Sequence, residues 1–193
     1  MKTALYRYLD ELGACEEALE WIEENSLNDP QAAWDMCPHA RWLIWAVELH
    51  LNKPGWPTRQ DLVLAACDCA EVSLHLVSAG EDRPRIAIDT ARRWAVGEAT
   101  LEDCRGVSLD AADVVFDATR FAGCIAARAV SLSRAASAVG SAAYHAAFAA
   151  IATYHAANAV ADAIEQSGGD EQKALADMSD IVRKRLYIGE VEL

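Results

Sequence analysis

Residues typical of helix starts and helix ends recur along the whole chain, and this pattern restricts the fold more than any other feature of the sequence. Thr3 can cap a helix that ends near Gly13, and Asp29 followed by Pro30 can start another. Alternating runs of β-branched residues, which would predict strands, are absent. The sequence therefore predicts an all-α fold, a helical bundle of about seven to nine helices.

The predicted helices form four successive groups within one domain. A chain of 193 residues is long enough to bury one hydrophobic core. We expect a single all-α domain over residues 1–193, made of acidic N-terminal helices at 1–51, middle helices at 58–105, alanine-rich central helices at 108–166 and a C-terminal helix at 171–187.

Two helix boundaries are predicted from specific local signals. Thr58 and Asp61 resemble a capping box, and the helix that they open is expected to extend to about Ala79. Cys37 and Pro38 are expected to start the last helix of the acidic group, which would end at residue 51.

The alanine-rich segment contains no Asp, Glu, Lys or Arg between Ala135 and Ala161. Its length would suit a transmembrane helix, but its Ser, Gly, His, Thr and Asn residues lower its hydropathy far below that of a leucine-rich span. We therefore expect a buried central helix and no membrane association, because small side chains let helices pack closely.

Two histidines of this segment, His145 and His155, stand in a repeated Tyr-His-Ala-Ala motif. Ten helical residues separate them by about 15 Å along the axis, so the two rings cannot share one metal ion. With Tyr144 and Tyr154 they could line a pocket, and a small helical enzyme or ligand-binding protein is therefore one hypothesis for the function.

No local motif for catalysis occurs in the chain. The sequence has no G-x-S-x-G, no phosphate-binding glycine loop and no H-E-x-x-H. We therefore predict no catalytic residues, no metal site and no cofactor, and we do not expect an enzyme.

The cellular compartment is predicted from the N-terminus and the cysteines. The charged residues of MKTALYRYLDEL leave no apolar stretch of the kind that a signal peptide requires. The six cysteines are scattered, and we interpret them as reduced thiols that are mostly buried as small apolar residues. A cytoplasmic location follows from both observations.

The chain is strongly acidic. Its 30 acidic and 17 basic residues give a formal net charge of −13, which repels nucleic acids and acidic membranes. Nine of the acidic residues lie within residues 1–35, where only Lys2 and Arg7 oppose them. We expect a basic protein as the partner and no direct binding of nucleic acid.

The densest acidic feature is CEEALEWIEEN, residues 15–25. Helical spacing places its five glutamates on an arc of about 120°. Like charges four residues apart cost a few tenths of a kcal/mol each, and no Lys or Arg interrupts them. Two interpretations stay open: a solvated face that keeps the protein soluble, or a docking surface for a basic protein. The five residues are Glu16, Glu17, Glu20, Glu23 and Glu24.

The tryptophans around residue 50 suggest both core and surface positions. Trp42 and Trp45 are predicted to be in the core, since they lie on a helix rich in apolar residues. Trp56 stands in the loop NKPGWP beside Pro54 and Pro57, and we predict that it is an exposed anchor for the partner.

The stretch EDRPRIAIDTARRWAVGE, residues 81–98, is dense in charge and predicts a well-delimited helix. Asp82 is expected to cap it, Pro84 lies in its first turn, and Gly97 ends it. Arg85, Asp89 and Arg93 are spaced four apart and could form a ladder of ion pairs. With Arg83 and Trp94 these residues are interpreted as a structural fingerprint.

That fingerprint, RPR-x-AI-x-x-A-R-x-W-A-x-G, is the most distinctive part of a wider resemblance. DLVLAACDCAEVSLHLV before it, the alanine-rich tract after it and ADMSDIVRKRL near the end resemble the immunity protein family associated with bacterial polymorphic toxin systems. LGACEEALEWIEE and CPHARWLIWAVEL resemble the N-terminal half of that family. The resemblance implies an all-α cytoplasmic protein that binds and neutralises a cognate toxin without catalysis, and it transfers no catalytic residues.

The first functional hypothesis is therefore a non-catalytic immunity protein that binds a basic toxin through its acidic surface. The second is a phage or mobile-element anti-defence protein of the anti-CRISPR type. Its acidic helices would mimic nucleic acid and block the nucleic-acid-binding groove of a basic effector.

Overall fold

The structure is a computed structural model that describes residues 2–51, 53–72, 74–76, 79–107, 168, 170–189 and 191. Every regular element in these ranges is a helix, so the described part of the chain is an all-α helical bundle, as predicted. None of the helices described there is long and apolar enough to cross a membrane. The alanine-rich helices predicted at 108–166, with Tyr144, His145, Tyr154 and His155, lie outside the described residues.

The helices of the described ranges are numbered in chain order. They are α1 (Ala4–Glu11), α2 (Glu16–Glu24), α3 (Pro30–Met36), α4 (Ala40–Glu48), α5 (Arg59–Glu71), a 3-10 turn (Leu74–Leu76), α6 (Arg83–Ala95) and the C-terminal helix (Glu171–Arg185). Residues 101–107 are also helical.

Most of the predicted helix caps form. The side chains of Thr3 and Asp29 each accept a hydrogen bond from a backbone N–H in the first turn of the helix that follows, and Asp170, which was not predicted as a cap, does the same for the C-terminal helix. The capping box at α5 is complete, because Asp61 N–H donates to Thr58 Oγ1 at 3.2 Å and Thr58 N–H donates to Asp61 Oδ2 at 2.8 Å.

Two predicted boundaries were wrong by several residues. The helix opened by Thr58 ends at Glu71, well before Ala79, and the His75 ring forms a 2.8 Å hydrogen bond with the Val72 carbonyl just beyond that end. α4 begins at Ala40, because His39 keeps the extended conformation of an N-cap residue, with φ −112° and ψ 103°.

The prediction that the Asp82 side chain caps α6 was also wrong. Asp82 occupies the N-cap position, but its side chain makes no capping hydrogen bond. Glu81 takes this role, since its Oε1 accepts from Arg83 N–H at 3.1 Å and its carboxylate pairs with the Arg83 guanidinium. Hydrogen bonding from Arg83 lowers the pKa of Glu81. Gly97 ends the helix as expected, with φ at +80°.

The ion-pair ladder predicted on α6 does not form. Arg85, Asp89 and Arg93 are all described and exposed, and no ion pair joins any two of them. Arg93 donates instead to the Glu98 carbonyl at 3.1 Å. Exposed pairs gain little over hydration, so their spacing alone did not determine the contact.

The ion pairs of α6 reach other helices. Arg92 Nη2 lies 2.9 Å from Asp68 Oδ1 and 2.6 Å from Glu71 Oε2, both on α5. Arg185 of the C-terminal helix lies 2.6 Å from the other oxygen of Asp68. The hydrogen bond from Arg92 lowers the pKa of Glu71. This network of ion pairs therefore joins α5, α6 and the C-terminal helix around Asp68.

The core is centred on α5, which packs against both α6 and the C-terminal helix. The C-terminal helix also packs against α4. Small side chains on α5 allow these close approaches. Seven residues of α5 are at most 1 % exposed: Leu62, Val63, Ala65, Ala66, Cys67, Cys69 and Ala70.

Most of the described cysteines belong to this core, as interpreted from the sequence. Cys15 is exposed, and Cys124 lies outside the described residues. Burial raises the pKa of the other four thiols far above neutral pH, which keeps them protonated and unreactive. The pKa values rise to about 11 for Cys37 and Cys104 and to about 12 for Cys67 and Cys69.

A smaller core holds α1 and α2 together. Leu5, Ile22 and Leu27 form it, and the Thr3 hydroxyl donates to the Leu27 carbonyl at 2.9 Å. Trp21 packs against both this cluster and the main core. The indole of Trp21 therefore fixes the position of α2 on the rest of the bundle.

Replacing Thr58, the N-cap residue of α5, tests how much its capping hydrogen bond stabilises the protein. Thr58→Ala is expected to lower the free energy of unfolding by about 0.5–2 kcal/mol, because the Asp61 N–H loses its acceptor. Thr58→Ser keeps the hydroxyl and is the matched control. Urea unfolding followed by circular dichroism measures both variants, and equal losses in the two would refute the capping role.

Candidate partner-binding site

The acidic residues of α2 lie on the surface of the bundle. All five predicted glutamates, Glu16, Glu17, Glu20, Glu23 and Glu24, are exposed, whereas Leu19 and Ile22 on the opposite face are buried. The helical arc deduced from the spacing is therefore present in the structure. We call these five residues the α2 acidic face.

This face has little local charge compensation. Among the described residues, no ion pair involves Glu16, Glu20, Glu23 or Glu24. Glu16 and Glu17 are favourably placed near the positive N-terminal end of the helix dipole. Glu23 and Glu24 occupy the negative C-terminal end, where the last turn of α2 contains no basic residue and only Lys2, from the segment before α1, interacts electrostatically with Glu23. The arrangement is thus unfavourable for the stability of α2.

Removing one of the repelling charges of α2 is expected to stabilise the protein. Glu20 has like charges four residues away on both sides, so Glu20→Gln is expected to raise the free energy of unfolding by about 0.4–1 kcal/mol at low salt. Glu16→Gln removes one such pair and also a favourable dipole interaction, so its gain should be smaller. Urea unfolding measures both, and a destabilised Glu20→Gln variant would contradict the repulsion.

A groove of about 890 Å³ lies between α2 and α4. This volume is within the usual range for ligand-binding clefts. One side is formed by α2 and the turn before it, and the other by α4 and His39. We call it the α2–α4 groove. Its charged and aromatic lining consists of Glu17, Glu20, Glu24, Glu48, Trp21, Trp42, Trp45 and His39.

The aromatic residues of the groove are in contact with one another. The ring centroids of Trp21 and Trp42 lie 6.0 Å apart at an interplanar angle of 51°, and the His39 ring lies 4.1 Å from Trp42. Trp42 packs on the main core as expected, but Trp42 and Trp45 are only half-buried. The predicted core tryptophans therefore also form part of an accessible wall.

Glu48 adds a carboxylate from the α4 side. It is half-buried, and this burial raises its pKa. No ion pair to Glu48 occurs within the described part of the chain. A partly desolvated carboxylate of this kind would gain from a cation supplied by another molecule. Glu48 was not predicted from the sequence as a site residue, although it follows Trp45 by about one helical turn.

Trp56, predicted as an exposed anchor, is buried, with only 7 % of its surface exposed. It stacks on His50 with ring centroids 4.0 Å apart. His50 in turn forms 2.9 Å hydrogen bonds with the Tyr8 hydroxyl and the Ala46 carbonyl. The chain after the C-terminal helix covers it closely, since a Cβ on Gly189 would lie 2.5 Å from the Trp56 Nε1 atom. Trp56 is therefore a buried residue and not an exposed anchor for a partner.

A second, smaller cavity of about 100 Å³ adjoins the groove. It is almost entirely apolar and shares Trp21, Trp42 and Trp45 with the groove. Within the described ranges, the groove included, no group of three or more His, Cys, Asp or Glu residues is placed to hold a metal ion. The carboxylates of Glu20, Glu24 and Glu48 beside indole rings give the α2–α4 groove a negative and partly aromatic lining, which is chemically suited to a cationic group.

Comparison with known proteins gives one finding. The family model described as "Imm-5 like putative immunity protein" matches residues 56–177, which is more than half of the chain. The α6 fingerprint lies inside this match, whereas the α2 acidic face and the α2–α4 groove precede it. No curated protein and no solved structure matches the chain.

Proposed function

The chain belongs to the Imm-5 like immunity protein family, and we propose that it neutralises a basic protein toxin in the cytoplasm by binding it through the α2 acidic face. In this role it acts as a non-catalytic inhibitor. Family membership supports an immunity role in general. The surface and the basic character of the partner are inferred from the charges of α2.

The observation that carries this proposal is the exposed charge of α2, most of which forms no ion pair within the described structure. Four glutamates there lack an ion pair within the described structure, and their mutual repulsion makes α2 less stable. A basic surface would offset that repulsion on binding. Complementary charge also speeds association and selects against acidic partners. Stability alone would favour mixed charges on this face.

The same surface would fit the nucleic-acid-binding groove of a defence effector. Both partners would be basic, so the charges of α2 do not separate the two roles. Family membership favours the toxin as the partner.

Affinity capture tests the proposed function. The tagged protein is expected to retain a basic protein from the source organism at low salt and to release it at high salt, because screening weakens exposed charge interactions. Expression of the captured protein alone should be toxic, and co-expression should suppress the toxicity. Capture of no basic protein, or of one that shows no toxicity, would refute the proposal.

A further inference from the structure

We propose that the α2–α4 groove binds an arginine side chain of the partner, held between carboxylates and indole rings. This inference rests on the proposed function, since it requires that the partner docks on α2. It adds a specific anchoring contact to a surface that would otherwise attract cations only through its general charge.

The groove has a suitable size and position for this contact. Its volume of about 890 Å³ exceeds that of one side chain, so a short segment of the partner could enter with the arginine. Glu20 and Glu24 of the α2 acidic face line it from one side, and Glu48 lines it from the other. A cation in the groove would therefore face carboxylates from two helices.

These carboxylates have no cation of their own in the described structure. Glu20, Glu24 and Glu48 form no ion pair there, and Glu48 is partly removed from water. An incoming guanidinium would donate several hydrogen bonds to these carboxylate oxygens, which accept no side-chain hydrogen bond from the described residues. The negative charge also disfavours phosphate, nucleic acid and acidic lipid as occupants.

The aromatic walls favour arginine over lysine. Trp21, Trp42 and Trp45 are half-buried and line the same groove as the carboxylates. A guanidinium is planar, stacks on indole faces and can bond to carboxylates in its own plane at the same time. A lysine ammonium is more strongly hydrated and presents no flat face. The combination of lining residues thus matches the chemistry of arginine.

Two matched double variants separate the groove from the general field of α2. Glu20→Gln with Glu48→Gln removes two charges that line the groove, and Glu16→Gln with Glu23→Gln removes two that do not. With the captured toxin, the groove pair is expected to weaken binding about tenfold or more, and the other pair about threefold or less. These four sites are exposed or half-buried, so thermal unfolding should verify that both variants fold.

The outcomes distinguish this inference from the proposed function. If both pairs weaken binding equally, the groove contact is refuted while the acidic docking surface stands. If neither pair changes the affinity, both are refuted. Self-association of the chain that is lost only in the groove pair would assign the groove to a second copy and would also refute the arginine contact.

A peptide probe tests the choice of arginine. A short arginine–glycine peptide is expected to shift the indole N–H signals of Trp21, Trp42 and Trp45 in NMR spectra, and to leave the buried Trp34 unchanged. The lysine–glycine peptide of equal length should bind several-fold more weakly. Equal affinity for the two peptides, or shifts that spare the three groove tryptophans, would overturn the assignment.

Discussion

Reversing three charges of the α2 acidic face is expected to weaken binding of the partner by roughly 100- to 1000-fold at low salt. The variant carries Glu16→Lys, Glu20→Lys and Glu24→Lys. All three side chains are exposed and form no ion pair within the described structure, so the change should not disturb folding. Most of the loss should appear as slower association, because the long-range attraction becomes repulsion. Surface plasmon resonance over a salt series measures this.

A control with the same net charge change separates the surface from the overall charge. Asp89→Lys, Glu98→Lys and Asp177→Lys alter three exposed acids on α6, the turn after it and the C-terminal helix. This control should lose much less affinity, because its charges lie outside α2. If the two triple variants weaken binding equally, the partner responds to total charge and the α2 acidic face is not the docking surface.

Met178→Ala is expected to lower the free energy of unfolding by about 2–5 kcal/mol. Met178 lies on the C-terminal helix, is fully buried and belongs to the main core with α4 and α5. The truncation would leave a cavity where three helices meet. Such a loss is a large part of the total stability of a typical domain.

The chain supplies a control for this substitution. Met36, at the end of α3, is 54 % exposed, so Met36→Ala makes the same chemical change with little burial lost. Its effect should stay within about 0.5 kcal/mol. Chemical unfolding compares the two variants. Equal effects would mean that the C-terminal helix does not complete the core.

Features that depend on a few neighbouring residues were predictable from the sequence. Thr3, Asp29 and Thr58 cap helices because their side chains reach backbone groups two or three residues ahead. The α2 acidic face was also predictable, since helical spacing alone determines which side chains share a face. Glu81 replaced Asp82 as the cap of α6 because both acids lie close enough to the first turn, and spacing does not choose between them.

Features that depend on distant residues were not predictable in this way. Trp56 lies beside two prolines in a polar loop, and its burial requires His50 on one side and Gly189 on the other. Asp68 pairs with Arg185 across 117 residues of sequence. No local pattern encodes the contact of Trp56 with Gly189 or the pairing of Asp68 with Arg185, because both arise only when the C-terminal part of the chain packs on the rest of the bundle.

The candidate site combines both kinds of feature. Its acidic half on α2 follows from one helical segment, and the sequence identified it. Its other half, with Glu48 and Trp45, lies on α4 and becomes part of the groove only through the packing of α2 against α4. Trp45 was predicted to lie in the core because the apolar face of an amphipathic helix is normally buried. In the structure Trp45 is half-buried, because its side of α4 lines the groove.

Neutralisation of the captured toxin in vitro tests the proposed mechanism most directly. The toxin's activity is titrated with the wild-type protein and with the triple Glu→Lys variant of α2, after both are shown to unfold at the same temperature. The wild-type protein should abolish the activity at an equimolar ratio, and the variant should need a large excess. Equal neutralisation by the two proteins, or activity that persists with excess wild-type protein, would contradict inhibition through the α2 acidic face.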